Sequence, residues 1–392
     1  MWYNNRNAAI VRLDRLIQRR KFGKGAISIL RIWYNHTMCG ENLTTKTVLQ
    51  DLPGPLLAWY RANARDLPWR RTTDPYQIWV SEIMLQQTRV AAVLGYYARF
   101  LETFPTVEAL AAAPEERLMK LWEGLGYYSR ARNLQKAARI VAEQGGRFPD
   151  TYQDLLALPG VGDYTASAIA SAAFGRREAA VDGNVLRVAA RVTGDEGDIA
   201  APATKKRVTA ALAEIIPLDA PGDFNQAMME LGATVCLPNG APLCDLCPAR
   251  AFCTARLTDR TGQLPVKAAK KARRVEERTV FLIFHENRVA LRRRPGRGLL
   301  AGLWEYPNEL SPAGDALARW GIAPASLRSA GTGKHIFTHI EWHMSALAAE
   351  AGSPALPEGW VWADRAALAR EYAVPNAFQP FQGAVEERLG HF

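Results

Sequence analysis

Apolar positions recur at helical spacing through residues 51–257 and give way to shorter apolar runs after Glu277. The pattern predicts a helix over Pro75–Gln87, with Asp74 as N-cap, Pro75 in the first turn, and Ile78, Trp79, Glu82, Ile83, Leu85 and Gln86 at helical intervals. Further helices are predicted over Ala109–Leu121, Ser129–Gln144, Tyr152–Leu158, Asp163–Phe174, Asn184–Thr193, Thr204–Ile216 and Phe224–Cys236. Gly or Pro punctuates nearly every junction. These apolar stripes read as core packing. Residues 258–276 place Lys267, Lys270, Lys271, Arg273 and Arg274 among small side chains and read as a solvated linker. Beyond it, Thr279–Phe284 reads as a buried strand, and Glu286-Asn287 turns the chain into Val289–Arg292. A second strand pair is expected around Lys334–Ala348 and Trp360–Trp362, with helices at Asp315–Trp320 and Arg365–Arg370. Residues 51–257 are therefore expected to form an all-α domain and 277–385 a smaller α+β domain.

Composition narrows the partners. With 49 Lys and Arg against 39 Asp and Glu, the formal net charge is +10. That balance favours nucleic acid or an anionic membrane surface. No stretch approaches the roughly 18 apolar residues of a membrane span, so a membrane partner is not expected. Residues 1–37 carry eight basic side chains against the single acid Asp14. Arg19-Arg20-Lys21-Phe22 resembles a twin-arginine signal, but the apolar run Gly25–Leu30 is shorter than an export segment needs. Residues 1–50 are read as a poorly ordered basic extension. A start at Met38 and an organelle leader both stay open, with a cytoplasmic, DNA-associated setting expected.

Four of the five cysteines, Cys236, Cys244, Cys247 and Cys253, follow a helical stretch at the spacing C-x7-C-x2-C-x5-C. Thiolates this close hold zinc or an iron–sulfur cluster. A single C-x2-C with wider flanking gaps, and Pro248 after Cys247, suits a cubane cluster better than a zinc ribbon with two knuckles. Lys205, Lys206, Arg207 and Arg250 are basic groups that such a stapled loop could present to DNA. Upstream, Leu158-Pro159-Gly160-Val161-Gly162 reads as a glycine hairpin ahead of a helix. Glycine there lets backbone N–H groups approach a phosphate, and the helix N-terminus adds a favourable dipole. A lone G-x-G between helices is also an ordinary turn.

The order L-P-G-V-G-x-x-T-A is more specific, and it is joined by Leu67–Arg70, Val80–Thr88, Gly124–Arg130, Val181–Val185 and Phe224–Ala227. On these motifs the chain resembles the helix-hairpin-helix DNA glycosylases of the endonuclease III superfamily, and among them the MutY adenine DNA glycosylases. Residues 51–257 carry the catalytic-domain resemblance, and 277–385 resemble the Nudix-like C-terminal domain. The resemblance implies a base excision repair enzyme that releases adenine mispaired with 8-oxoguanine or guanine in double-stranded DNA. It implies one [4Fe–4S] cluster on Cys236, Cys244, Cys247 and Cys253. Glu82 takes the place of the acid that protonates adenine, and Asp182 that of the carboxylate that steadies the oxocarbenium ion, with Asn184 beside it. Taken alone, a helical Glu82 is more often a salt-bridge partner and Asp182 a turn residue.

Tyr164 stands where lyase-active relatives place a lysine. A phenol forms no Schiff base, which implies a monofunctional glycosylase. By the same resemblance Arg65, Trp69, Leu85 and Glu230 line the adenine pocket, although ordinary core packing accounts equally well for Trp69 and Leu85. Gln87 enters the duplex, Tyr127 wedges beside the lesion with Leu125 near it, and Gly160 and Gly162 face phosphate. Phe337-Thr338-His339 matches the lesion-recognition loop, with Thr338 where serine is common. The seven residues between the first two cysteines exceed the usual six by one. Nucleotide hydrolysis is not expected, because residues 310–321 hold Asp315 as their one acid and lack the Glu-rich metal box. A catalytically silent DNA-binding protein is disfavoured by the intact Glu82 and Asp182. A monomer is expected.

Overall fold

The computed structural model describes residues 48–268 and 272–390. The basic extension expected over residues 1–50 lies outside the described residues as far as residue 47, as do residues 269–271 of the expected linker.

The helices are α1 (Pro53–Asn63), α2 (Pro75–Leu85), α3 (Val90–Thr103), α4 (Val107–Ala112), α5 (Glu115–Trp122), α6 (Ser129–Glu143), α7 (Tyr152–Leu156), α8 (Asp163–Phe174), α9 (Gly183–Thr193), α10 (Pro202–Ile215), α11 (Pro221–Thr234) and α12 (Thr254–Leu257). Proline occupies the first turn of α1, α10 and α11, where its missing N–H has no helical partner to lose. The Asp74 carboxylate accepts from Tyr76 N at 2.9 Å, which caps α2 as the sequence predicts. Gly175 and Gly194 end α8 and α9 in the left-handed conformation. The expected helix Ala109–Leu121 is two helices, α4 and α5. Pro114 holds Ala113 extended, at ψ 142°, because the proline ring clashes with a helical predecessor.

The described chain divides into two compact units. The first comprises residues 48–78, 150–156 and 161–268. Its core is built from Leu52 and Leu56 of α1, Val185, Val188, Ala189 and Val192 of α9, and Phe224, Ala227, Met228 and Leu231 of α11, and it extends to Cys236 and Cys253. Gly232 lets α11 lie against α9, since a Cβ there would stand 2.6 Å from Asn184 Cβ.

The second unit comprises residues 79–149, 157–160 and 272–390. Its sheet is formed by β1 (Arg274–His285), β2 (Arg288–Arg293), β3 (Trp304–Glu305), β4 (Asn308–Leu310), β5 (Pro324–Ile336), β6 (Ile340–Ala351) and β7 (Trp360–Ala363). Short helices α13 (Ala316–Arg319), α14 (Arg365–Arg370) and α15 (Gln382–Arg388) accompany it. The order is β3-β2-β1-β6-β5, with β4 on β1 and β7 on β2. β1 and β6 run parallel, and the other pairs are antiparallel. Val280, Leu282 and Phe284 face one core, and Phe281 and Ile283 face another, so β1 is buried on both sides. β1 is longer than expected and begins at Arg274, inside the predicted linker. The expected second pair is β5 with β6, whereas β7 joins β2, because register rather than chain proximity sets pairing.

Helices of residues 79–149 belong to the same compact unit as this sheet. Backbone groups explain the grouping. Lys120 Nζ donates to Leu368 O (2.6 Å) and Tyr372 O (3.2 Å), and Arg132 donates to Ala301 O (2.7 Å). Val374 N donates to Glu123 (2.7 Å), and Asn376 donates to Gly124 O (3.0 Å). Among the described residues no helix is long and apolar enough to cross a membrane.

Candidate active site and cysteine centre

Asp182 is the N-cap of α9. Its Oδ1 accepts from Val185 N at 2.8 Å and its Oδ2 accepts from Asn184 Nδ2 at 2.9 Å. Burial pushes the carboxyl above the ordinary aspartate range, opposed by those two donors and by the Arg187 guanidinium. The backbone leading to it is fixed by buried Asn225. Asn225 Oδ1 accepts from Ala180 N (3.1 Å), and its Nδ2 donates to Glu178 O (2.7 Å) and Ser171 Oγ (2.9 Å). Asn184 is held in turn, because its Oδ1 accepts from Arg187 at 2.8 Å. Arg187 also donates to Gly232 O and to Cys236 O, each at 2.8 Å. A run of hydrogen bonds therefore joins the Asp182 carboxylate to the peptide of the first clustered cysteine.

The four cysteines are free thiols that line one pocket with Val188, Arg191, Val235 and Arg256. Arg191 donates to Cys236 Sγ at 3.3 Å and to Leu237 O at 2.8 Å. Burial raises Cys244 and Cys253 and pushes Cys247 up to about 12. The pocket by itself thus favours thiols, and thiolates there require a bound cation. Among the described residues no group of three or more His, Cys, Asp or Glu side chains is arranged to hold a metal ion.

Arg65 and Glu230 meet across 165 residues of chain. Arg65 Nε and Nη2 donate to the two Glu230 oxygens at 2.7 Å each, and Arg70 adds a third bond of 2.7 Å. Glu230 is 1% exposed. Burial would raise its pKa, but the bonds from Arg65 and Arg70 outweigh burial and hold it at about 2. Buried Trp69 sits in the 3-10 turn Pro68–Arg70 beside this triad. The Tyr164 hydroxyl, at the start of α8, donates to Met229 Sδ at 2.9 Å. Of the hairpin glycines, Gly160 has φ +79° and a Cβ there would meet Asn133 Cβ at 2.7 Å, so both backbone and packing require glycine. Gly162 is the extended N-cap of α8 with open space at its Cβ position.

The remaining predicted residues belong to the second unit. Glu82 lies in α2 and is 3% exposed, and Leu85 ends that helix half-buried. Gln87 and Tyr127 are exposed, with left-handed backbones of φ 58° and 47°, and Leu125 is buried. Phe337 N donates to Ile340 O at 2.8 Å, closing the turn between β5 and β6. Thr338 and His339 are exposed at its tip, and Phe337 stacks edge-on against Trp342. The Tyr127 hydroxyl lies 3.2 Å from Thr338 Oγ1, which brings the expected wedge and the expected lesion loop together.

Residues 80–218 match the HhH-GPD superfamily of base excision DNA repair proteins, and residues 279–382 match the NUDIX domain. An adenine DNA glycosylase from Homo sapiens is 37% identical over 403 residues, covering 84% of this chain and 74% of its own length. One from Mus musculus is 39% identical over 350 residues, covering 73% and 68%. The chain belongs to the adenine DNA glycosylase family. As a member of that family it is a base excision repair enzyme that hydrolyses the N-glycosidic bond of adenine. Among solved structures, a thermostable thymine-DNA glycosylase matches with a TM-score of 0.49 and 31% identity over 55% of this chain and 97% of that one. An endonuclease III–DNA complex matches with a TM-score of 0.46 and 25% identity, covering 55% and 98%.

Sequence reasoning missed Arg70, Arg187, Arg191 and Asn225 in this glycosylase. Arg187 and Arg191 stand four apart on α9, so their common face was readable. Their partners, around Cys236, were not.

Proposed function

We propose that this glycosylase releases adenine paired with 8-oxoguanine or guanine in double-stranded DNA, acting as a monomer and cutting no strand itself. Glu82 donates a proton to the flipped-out adenine, the glycosidic bond breaks with its electrons passing to the base, and water oxygen bonds C1′ of the sugar, losing a proton that restores the Glu82 acid. Asp182 steadies the positive charge on the ribose ring, and Asn184 holds that carboxylate in place. Arg65, Trp69, Leu85 and Glu230 line the adenine pocket. Glu230 acts there by holding Arg65 and Arg70, which occupy both of its oxygens.

Tyr164 offers no amine for a Schiff base, and the enzyme therefore stops at base removal. Gln87 and Tyr127, with Leu125, enter the duplex at the mispair. Gly160 and Gly162, ahead of α8, take a phosphate on backbone N–H groups. Phe337, Thr338 and His339 contact the 8-oxoguanine. Cys236, Cys244, Cys247 and Cys253 hold one [4Fe–4S] cluster, which supplies a structural staple for the loop and no step of the hydrolysis. The support for it is that the four thiols line one shared pocket. The proposed setting is cytoplasmic and DNA-associated.

The observation that carries this reading is the Asp182 carboxylate. It is an N-cap, hydrogen-bonded by Val185 N and Asn184 and raised in pKa by burial. The test is incubation with duplexes holding A opposite 8-oxoguanine, G or T, followed by alkali. Cleavage of the first two after alkali alone is expected. Cleavage of A:G without cleavage of A:8-oxoguanine would remove the assigned role of the 337–339 loop.

A further inference from the structure

Arg130, the second residue of α6, closes the motif Gly124–Arg130 and takes no part in the proposed chemistry. Its side chain is 9% exposed, and its hydrogen bonds go to backbone carbonyls and one hydroxyl. Nη1 donates to Ile83 O (2.8 Å), Met84 O (2.9 Å) and Gln86 O (2.7 Å), at the end of α2 where carbonyls have no helical donor. Nη2 donates to Leu125 O (2.9 Å), Gly126 O (3.0 Å) and, more weakly, Thr88 Oγ1 (3.4 Å). The guanidinium lies 5.4 Å from the Trp122 ring centroid and 5.7 Å from that of Tyr127. Burial lowers its pKa to about 10, so it stays charged at neutral pH.

Directly after each set of clasped carbonyls comes a left-handed residue that is not glycine. These are Gln87, after Gln86, and Tyr127, after Gly126. Only five described residues other than glycine share that conformation, which is disfavoured wherever a Cβ is present. Two such residues, from loops about forty positions apart, are thus fixed by opposite ends of one planar fork.

We propose that Arg130 is a positioning residue that locks the two loops in one geometry, so that Gln87 and Tyr127 enter the duplex as a unit. The inference rests on the reading of those two residues as DNA-inserting. A fixed, planar, five-donor group suits the task, because a lysine ammonium is a point charge and cannot span both sets of acceptors.

The test uses the full chain with Arg130→Lys and Arg130→Gln. Amide hydrogen exchange is expected to quicken by roughly tenfold or more in both 85–88 and 124–128, and nowhere else. Single-turnover adenine release opposite 8-oxoguanine is expected to slow by about 100-fold. On a duplex mismatched at the pairs flanking the target, where the base opens unaided, the rate is expected to return to within about fivefold of wild type. Gln87→Ala and Tyr127→Ala serve as controls. Wild-type rates in both controls on the ordinary duplex refute the insertion reading. Slow controls beside Arg130 variants that exchange and react like wild type refute the clasp alone. Loss of cooperative melting in both Arg130 variants, or no rescue on the opened duplex, also overturns it, because the role then lies in the fold or in the chemistry.

Discussion

At the scale of single residues, the chemistry turns on how each carboxyl is held. Asp182 keeps two donors on its oxygens, while burial works against its charge. In the proposed role the ionised form is the one required, so base release is expected to fall as pH drops through a value above the ordinary aspartate pKa of about 3.9. Asn184→Ala removes a donor to the carboxylate and raises that pKa further. The acid limb of a single-turnover pH–rate profile therefore moves to higher pH in the variant, and an unmoved limb contradicts the role. Glu82→Gln and Asp182→Asn are each expected to bind duplex DNA near normally and to lose base release by at least about 100-fold. Tyr164 predicts that borohydride traps no covalent protein–DNA adduct, and abundant trapping would refute the monofunctional reading. Glu82 and Tyr164 were legible in the sequence only through their motifs, since nothing in periodicity separates an acid on a helix from a surface charge.

At the scale of elements, the segment following α1, the Pro68–Arg70 turn and α11 are tied through Glu230. Its pKa is held near 2, below the unfolded value of about 4.3. A depressed carboxylate stabilises the fold above its unfolded pKa and loses that contribution as pH falls through its folded value. Stability is therefore expected to decline by about 3 kcal/mol between roughly pH 5 and pH 2 from this group. Glu230→Gln flattens that decline, and acid-dependent melting measures it. Gly232→Ala drives a methyl against Asn184 and is expected to cost about 1–3 kcal/mol by overpacking. It also slows base release, because Asn184 holds Asp182. A large stability loss with an unchanged rate would separate the α9–α11 contact from the site. Helix ends at glycine and proline were readable, and the break at Pro114 was readable in principle from the proline itself. The partner of β7 was not, because a short apolar run does not say which sheet neighbour it will meet.

At the scale of the molecule, the cysteine centre joins residues 236–253 to the core of the first unit through Arg187 and Arg191. Anaerobic purification is expected to give a brown protein with iron and sulfide, and iron chelation or Cys253→Ser is expected to lower its melting temperature. A colourless protein with one zinc overturns the cluster assignment. With a formal charge of +10, duplex binding is expected to weaken steeply with salt, the slope of log affinity against log salt tracking the phosphates neutralised. Helices of residues 79–149 also bond to segments of the sheet-bearing half. For Lys120, Glu123 and Arg132 the engaging carbonyls and N–H groups lie about 170–250 residues away, beyond the reach of local pattern.

The order of residues determined the helical and mixed halves and the clustered thiols, because periodicity and motif spacing are local, whereas the roles proposed for Glu82, Asp182 and Tyr164 rest on the family resemblance of their motifs. Tertiary structure decided where the arginines go. Arg70 reaches Glu230, Arg187 reaches Asn184 and Cys236, and Arg130 reaches two loop backbones. A buried guanidinium is tolerated only where several acceptors converge on it, and chain folding alone brings such acceptors together.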